Sequence, residues 1–352
     1  MSGIIGHTMY AILANKEAAQ RKLPIAKLIE RNYASYLCGA YLGCDIQTMP
    51  ECVCIDTDTP VGYGTVPLSK SPLTGGAVRP WTLHHNGNDY RPRDIHRAFY
   101  GRAHLVFGWT ASQRIHTVPW DHLPDYCAST IKDTVDLYGP GERQIAFLFG
   151  WIAHIVSDSL IKSVQPGVDL VLLDGKYTAT NRPIQDLVTY HDIGVDELGL
   201  NWAALLTDLA ETPFEPIQLH YMRVSEPRGA LFETFPDGWA PQHESLLKSV
   251  LTENRRYQRV RTSRLLKQYE LHKTAHGWQC SSELQRQSGG YTYDDMVGLA
   301  RRAGFRHALC QVADGIVTLF EQVIQRYPSL KQYQDNKDTS WEDMSAKWKH
   351  SN

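Results

Sequence analysis

The stretch Gln144–Val164, QIAFLFGWIAHIVSDSLIKSV, decides how this chain is read. Its apolar residues recur at helical spacing, and among them stand an imidazole and a carboxylate, His154 and Asp158, four positions apart. Side chains at i and i+4 share one face of a helix, so both reach a single point. Phe147, Phe149, Trp151, Ile152 and Ile155 flank them. A polar pair in such company is costly to bury unless it is hydrogen-bonded or holds a metal. Imidazole nitrogen and carboxylate oxygen are both zinc ligands. Taken alone, so short a spacing favours the plainer reading, a His–Asp hydrogen bond inside a helical core.

Length and composition bound the rest. A chain of 352 residues makes one large domain or two ordinary ones, and can bury a substantial core. With 42% hydrophobic and 21% charged residues it has the composition of a globular protein. A net charge of −2 supplies no field for nucleic acid or an anionic membrane. The seven cysteines are an odd number without metal-finger spacing; Cys52 and Cys54 form a C-x-C in an expected loop. Reduced thiols in a cytoplasmic protein are the expectation. The opening MSGIIGHTMYAILANKEAAQRK has no basic segment before its apolar residues and no long apolar run, so it does not read as a signal peptide. The longest apolar run, Ile145–Val156, is shorter than the roughly 20 residues a bilayer requires.

Residues 7–43 read as helix, with Pro24 marking the start of a second one. Residues 46–92, dense in proline and glycine, read as a long functional loop that carries Trp81, His84 and His85. Asp94 is the expected N-cap of a helix reaching about Ser112, and another helix passes through Ile131 and Val135. Asn181, with Pro183 near the first helical position, opens a further helix bearing Asp186 and His191. Apolar three-to-four spacing predicts helices over 201–211, 242–271, 293–301 and 304–326, and a frayed polar end from Gln332. The fold class expected is mainly α.

The segment GWIAHIVSD resembles the metal-ligand helix of the zinc-dependent phospholipase C family, an apolar run and a Gly followed by HxxxD. The wider superfamily includes single-strand-specific zinc nucleases. The resemblance covers about residues 4–200 and implies a multi-helix bundle binding two or three zinc ions, with ligands in a set chain order. GHTMYAI places His7 as the first-helix ligand. YLCGAYLGCDIQTMPE resembles the segment that carries the family's carboxylate, here Asp45, as metal ligand, water-orienting group or general base. LHHNGN offers His84 or His85 as the loop ligand, and His154 and Asp158 follow.

Two departures stand out. The phospholipases use a processed N-terminal amine as a ligand, whereas this chain opens Met-Ser-Gly. The third-metal HxxxE position falls on Arg182 and Asp186, so a His becomes Arg and a Glu becomes Asp. The expectation is therefore two zinc ions, with Lys162 or Arg182 supplying the charge of the third, or else a third ion held differently by Asp186 and His191. The reaction implied is hydrolysis of a soluble phosphoester by a metal-activated water, without nucleic acid or stable membrane association. A metal-dependent lyase or cyclase on the same scaffold, and a non-catalytic helical binding protein, are the rivals. Expected organisation is a catalytic domain at 1–200, a helical extension packed on it at 201–330, and a polar tail at 331–352.

Overall fold

The computed structural model describes residues 3–42, 52–57, 69–71, 75–91, 120–161, 181–213, 215 and 243–335, and there the chain is mainly α-helical. The first forty residues form three helices, α1 (Ile4–Gln20), α2 (Pro24–Arg31) and α3 (Tyr33–Leu42). Lys22 stops α1 by taking a left-handed φ of 57°, while the Lys22 and Leu23 amides bond back to the Ala19 and Ala18 carbonyls. Those are the paired bonds of a Schellman stop. Pro24 then opens α2, where its missing N–H leaves no bond unmade.

The region expected to be loop holds short strands among its described residues. β1 (Cys52–Cys54) pairs antiparallel with β2 (Val78–Pro80), and β3 (Leu83–His85) with β4 (Asn88–Tyr90). Asn86 and Gly87, at φ 49° and 77°, turn the second hairpin. Asn-Gly favours such a turn because both residues tolerate positive φ. The helix expected at 94–112 lies outside the described residues.

α4 (Leu123–Tyr138) and α5 (Glu142–Ile161) come next, followed by α6 (Asn181–Val188), which runs into a π-helical stretch, Thr189–Glu197. The later helices follow the expected spacing: α7 (Trp202–Glu211), α8 (His243–Gln268), α10 (Tyr293–Arg302) and α11 (Phe305–Arg326). A hairpin of β5 (His272–Thr274) and β6 (Gly277–Gln279) and a short α9 (Ser282–Gln287) separate α8 from α10. Asn201 caps α7 by accepting from the Ala204 amide, and Thr292 with Asp295 forms a capping box on α10.

Two glycines set the centre of the fold. A Cβ built on Gly39 of α3 would lie 1.9 Å from the Phe147 carbonyl oxygen, and one on Gly150 of α5 would lie 1.8 Å from that of Tyr36. The two helices therefore touch backbone to backbone, which no other residue permits at either place. The Tyr36 hydroxyl donates to the Ala11 carbonyl at 2.9 Å and ties α3 to α1. Outside this trio, α11 packs on α1, α4 and α5, with Phe320 edge-on to Phe149 at 4.9 Å. One buried apolar cluster runs from Ile4 to Tyr333. α5 has the length and composition of a membrane span, but 94% of that window is buried inside the fold, as in a core helix.

Candidate metal centre

α1 brings His7, and α5 brings His154 and Asp158, to one point inside the protein. One ligand atom from each lies within 4.8 Å of the other two. The residues are 2%, 4% and 3% exposed. His7 Nε2 stands 3.5 Å from Asp158 Oδ1. Ligands at zinc–donor distances of 2.0–2.1 Å around a tetrahedral ion are about 3.3–3.4 Å apart, so the spacing fits. Among the described residues this is the one group of His, Cys, Asp or Glu side chains able to hold a metal ion.

The proton positions follow from the partners. His154 Nδ1 lies 2.7 Å from the Ala40 carbonyl oxygen. A carbonyl only accepts, so Nδ1 carries the proton and, in the neutral ring, Nε2 carries the lone pair a metal needs. That carbonyl is within reach because Gly39, the residue before it, lets α3 close on α5. The His7 and His154 rings stack with centroids 3.9 Å apart and planes 23° from parallel. Two imidazolium ions that close would repel, so at least one ring is neutral. Ser157 Oγ donates to the His154 carbonyl at 2.9 Å, which leaves its oxygen to accept from His7 Nδ1 at 3.5 Å. With its proton on Nδ1, His7 points a lone pair at the Asp158 carboxylate. Two electron-rich atoms so placed call for a cation between them, either a metal or a proton on Nε2.

The other residues expected at the site are placed differently. Asp45 and Lys162 lie outside the described residues. His84 and His85 do not join the cluster. His84 is exposed on β3, with Nδ1 2.5 Å from Asp89 across the hairpin. His85 faces α8, where Ser245 Oγ lies 2.8 Å from Nε2 and Ser249 Oγ 3.3 Å from Nδ1. Neighbouring strand residues point to opposite faces, which separates the two imidazoles.

Asp186 is also outside the ligand group. Its Oδ2 accepts from the Tyr269 hydroxyl at 2.9 Å and lies 3.5 Å from Arg182 Nε. Nor does His191 turn toward it: Nε2 donates to the Tyr269 carbonyl at 2.6 Å, and burial lowers the ring's pKa. Among the described residues, Asp186 and His191 belong to no group of three ligands. The Arg182–Asp186 pair stands against the start of α1. A Cβ on Gly3, at the start of α1, would meet Arg182 Nη2 at 3.0 Å and Asp186 Oδ2 at 3.6 Å, one helical turn before His7.

Sequence reasoning missed the Ala40 carbonyl, Ser157 and Tyr269. Only Ser157, beside Asp158 in the quoted stretch, was within sight of the motif. No protein-family model matches this sequence, no curated protein is significantly similar to it, and no solved structure significantly matches its fold.

Proposed function

We propose that this chain is a cytoplasmic zinc-dependent phosphoesterase on a phospholipase C-like helical scaffold, hydrolysing a soluble phosphoester. The observation that supports it is the buried meeting of His7, His154 and Asp158 from helices about 150 residues apart in sequence. Two imidazoles and one carboxylate are a donor set used at catalytic zinc sites, which keep a position open for water or substrate. Zinc held there supplies Lewis acidity and an acidified water at neutral pH.

The protein's own groups do the rest. Ala40 and Ser157 hold the two imidazoles in the tautomers that ligate. Arg182, whose side chain is 43% exposed, sits beside the start of α1, a helix with no acidic residue in its first turn. Its guanidinium suits a phosphoryl group, and the helix end adds positive potential to that place. The three grouped residues make the ligand set of one ion; the second ion expected from the sequence needs donors beyond them.

A lyase or cyclase reading is favoured by one observation: Arg182 and Asp186 stand where the phospholipases carry third-metal ligands, and here they pair with each other. The non-catalytic reading needs only a proton on His7 Nε2, paired with Asp158. Zinc measured by plasma mass spectrometry, in wild type and in a His154→Ala, Asp158→Ala variant, separates these. Occupancy of about one equivalent or more in wild type, lost in the variant, is expected. Product analysis on a panel of phosphomonoesters and phosphodiesters in oxygen-18 water then distinguishes hydrolase from lyase, because only hydrolysis carries the water oxygen into the phosphoryl product, inorganic phosphate from a monoester and a monoester from a diester. Wild-type zinc below about 0.2 equivalents, with the variant folded, would sink the metalloenzyme reading.

A further inference from the structure

Tyr269 follows the end of α8, far in sequence from every residue so far placed at the site, yet it is gripped at both ends by the site's own segment. Its hydroxyl donates to Asp186 Oδ2 on α6, and its carbonyl accepts from His191 Nε2 in the adjoining π-helical stretch. The Tyr190 ring packs edge-on against it at 5.6 Å. Tyr269 is 5% exposed and Asp186 is 4% exposed. A carboxylate so deeply buried demands donors. The phenol is one, and Arg182, its Nε 3.5 Å from the same oxygen, adds an ion pair. Arg182 in turn lies against Gly3, whose carbonyl accepts the His7 amide at 3.1 Å. The contacts therefore run Tyr269, Asp186, Arg182, start of α1, His7.

We propose that Tyr269 is a positioning residue of the metal centre: by holding Asp186, it sets where the Arg182 guanidinium stands to receive a phosphoryl anion. The inference rests on the phosphoesterase reading and extends it to the C-terminal half of the chain. Charge sharing gives the direction of the effect. The phenol and the guanidinium meet one oxygen, so without the phenol the Asp186 carboxylate is less well compensated and draws Arg182 toward itself. The guanidinium is then turned away from the anion, although the metal ligands are untouched.

The test is titration of inorganic phosphate into zinc-loaded protein by calorimetry, on wild type, Tyr269→Phe, Arg182→Ala and the double variant. Zinc content and melting temperature are read on the same samples. Tyr269→Phe keeps the ring and is expected to keep its zinc while weakening phosphate about 5- to 20-fold. The double variant should bind no more weakly than Arg182→Ala alone, because the phenol acts through the guanidinium. Asp186→Asn, which removes the charge and keeps an acceptor for the phenol, provides a second route if the phenylalanine variant folds poorly. It should shift phosphate binding and leave zinc in place.

Losses that multiply in the double variant would overturn the proposal. So would a Tyr269→Phe protein that binds phosphate within about twofold of wild type while Arg182→Ala does not. In either case the phosphoesterase reading stands. Wild-type protein that takes up no zinc, or that takes it up and binds no phosphate, defeats that reading itself and this inference with it.

Discussion

His84 and Asp89 approach to 2.5 Å across the β3–β4 hairpin, whereas His7 and Asp158 stand 3.5 Å apart between α1 and α5. By distance the hairpin pair is the better contact. By surroundings it is the weaker one, since its side chains are 77% and 67% exposed against 2% and 4%. Water solvates each exposed group separately and screens the attraction, so the short contact contributes little and requires nothing around it. The buried pair has lost its water, so its charge depends on what the fold places around it, and a proton or a metal between the two groups is one way to meet that need. Identical residue types thus carry information about chemistry only where the fold has removed solvent. The local order HH in LHHNGN says less than the pairing of α1 with α5.

Glycine substitutions test the same contrast with the largest expected effect. Gly150→Ala places a Cβ 1.8 Å from a backbone oxygen, so α3 and α5 must separate and the Ala40 carbonyl must leave His154. Destabilisation of about 3 kcal/mol or more is expected, about 4 °C or more in melting temperature, with zinc lost as well. Gly87→Ala, in the hairpin turn at φ 77°, meets no atom within 4 Å and pays only for its backbone conformation, about 1 kcal/mol. Equal losses from the two substitutions in thermal melts would show that the α3–α5 crossing is not as close as described.

A sharper and smaller test removes imidazoles one at a time. His7→Ala should lower zinc affinity by about 100-fold or more, measured by competition with a chromophoric chelator. His84→Ala and His85→Ala should leave it within about twofold, because neither ring reaches the cluster. Zinc loss on removing His84 or His85 would return the loop to the metal centre and break the contrast.

What was legible in the sequence divides along the same line. Apolar periodicity is a local property, so α8, α10 and α11 and the break at Pro24 could be read directly, as could the His154–Asp158 pair on one helix face. His7 could be nominated from motif order, but its arrival beside His154 depends on α1 crossing α5, which no local window encodes. The strands escaped because each is three residues long, too short to show alternation, although Asn86–Gly87 was a readable turn signal. Gly39 and Gly150 were visible as letters, yet their role is a contact across 111 positions of chain. Tyr269 carries no motif at all; only its contacts with Asp186 and His191 reveal it.

Ser157 supplies the finest test, because it lies inside the legible motif and acts through a contact that was not legible. It is fully buried, and its hydroxyl joins the two halves of the cluster, donating to the His154 carbonyl on its own helix and accepting from His7 Nδ1 on the other. Ser157→Ala removes one oxygen and keeps a good helix former, so the fold should survive with its melting temperature lowered by no more than about 2 °C. What changes is the His7 tautomer: without the hydroxyl that favours a proton on Nδ1, the proton moves more readily to Nε2, pairs with Asp158 and competes with the metal. Zinc affinity should fall about 10-fold, and the fall should be independent of pH wherever the ring is neutral, since the two tautomers hold the same number of protons. Unchanged affinity in Ser157→Ala would mean that stacking on His154, and not the hydroxyl, orients His7.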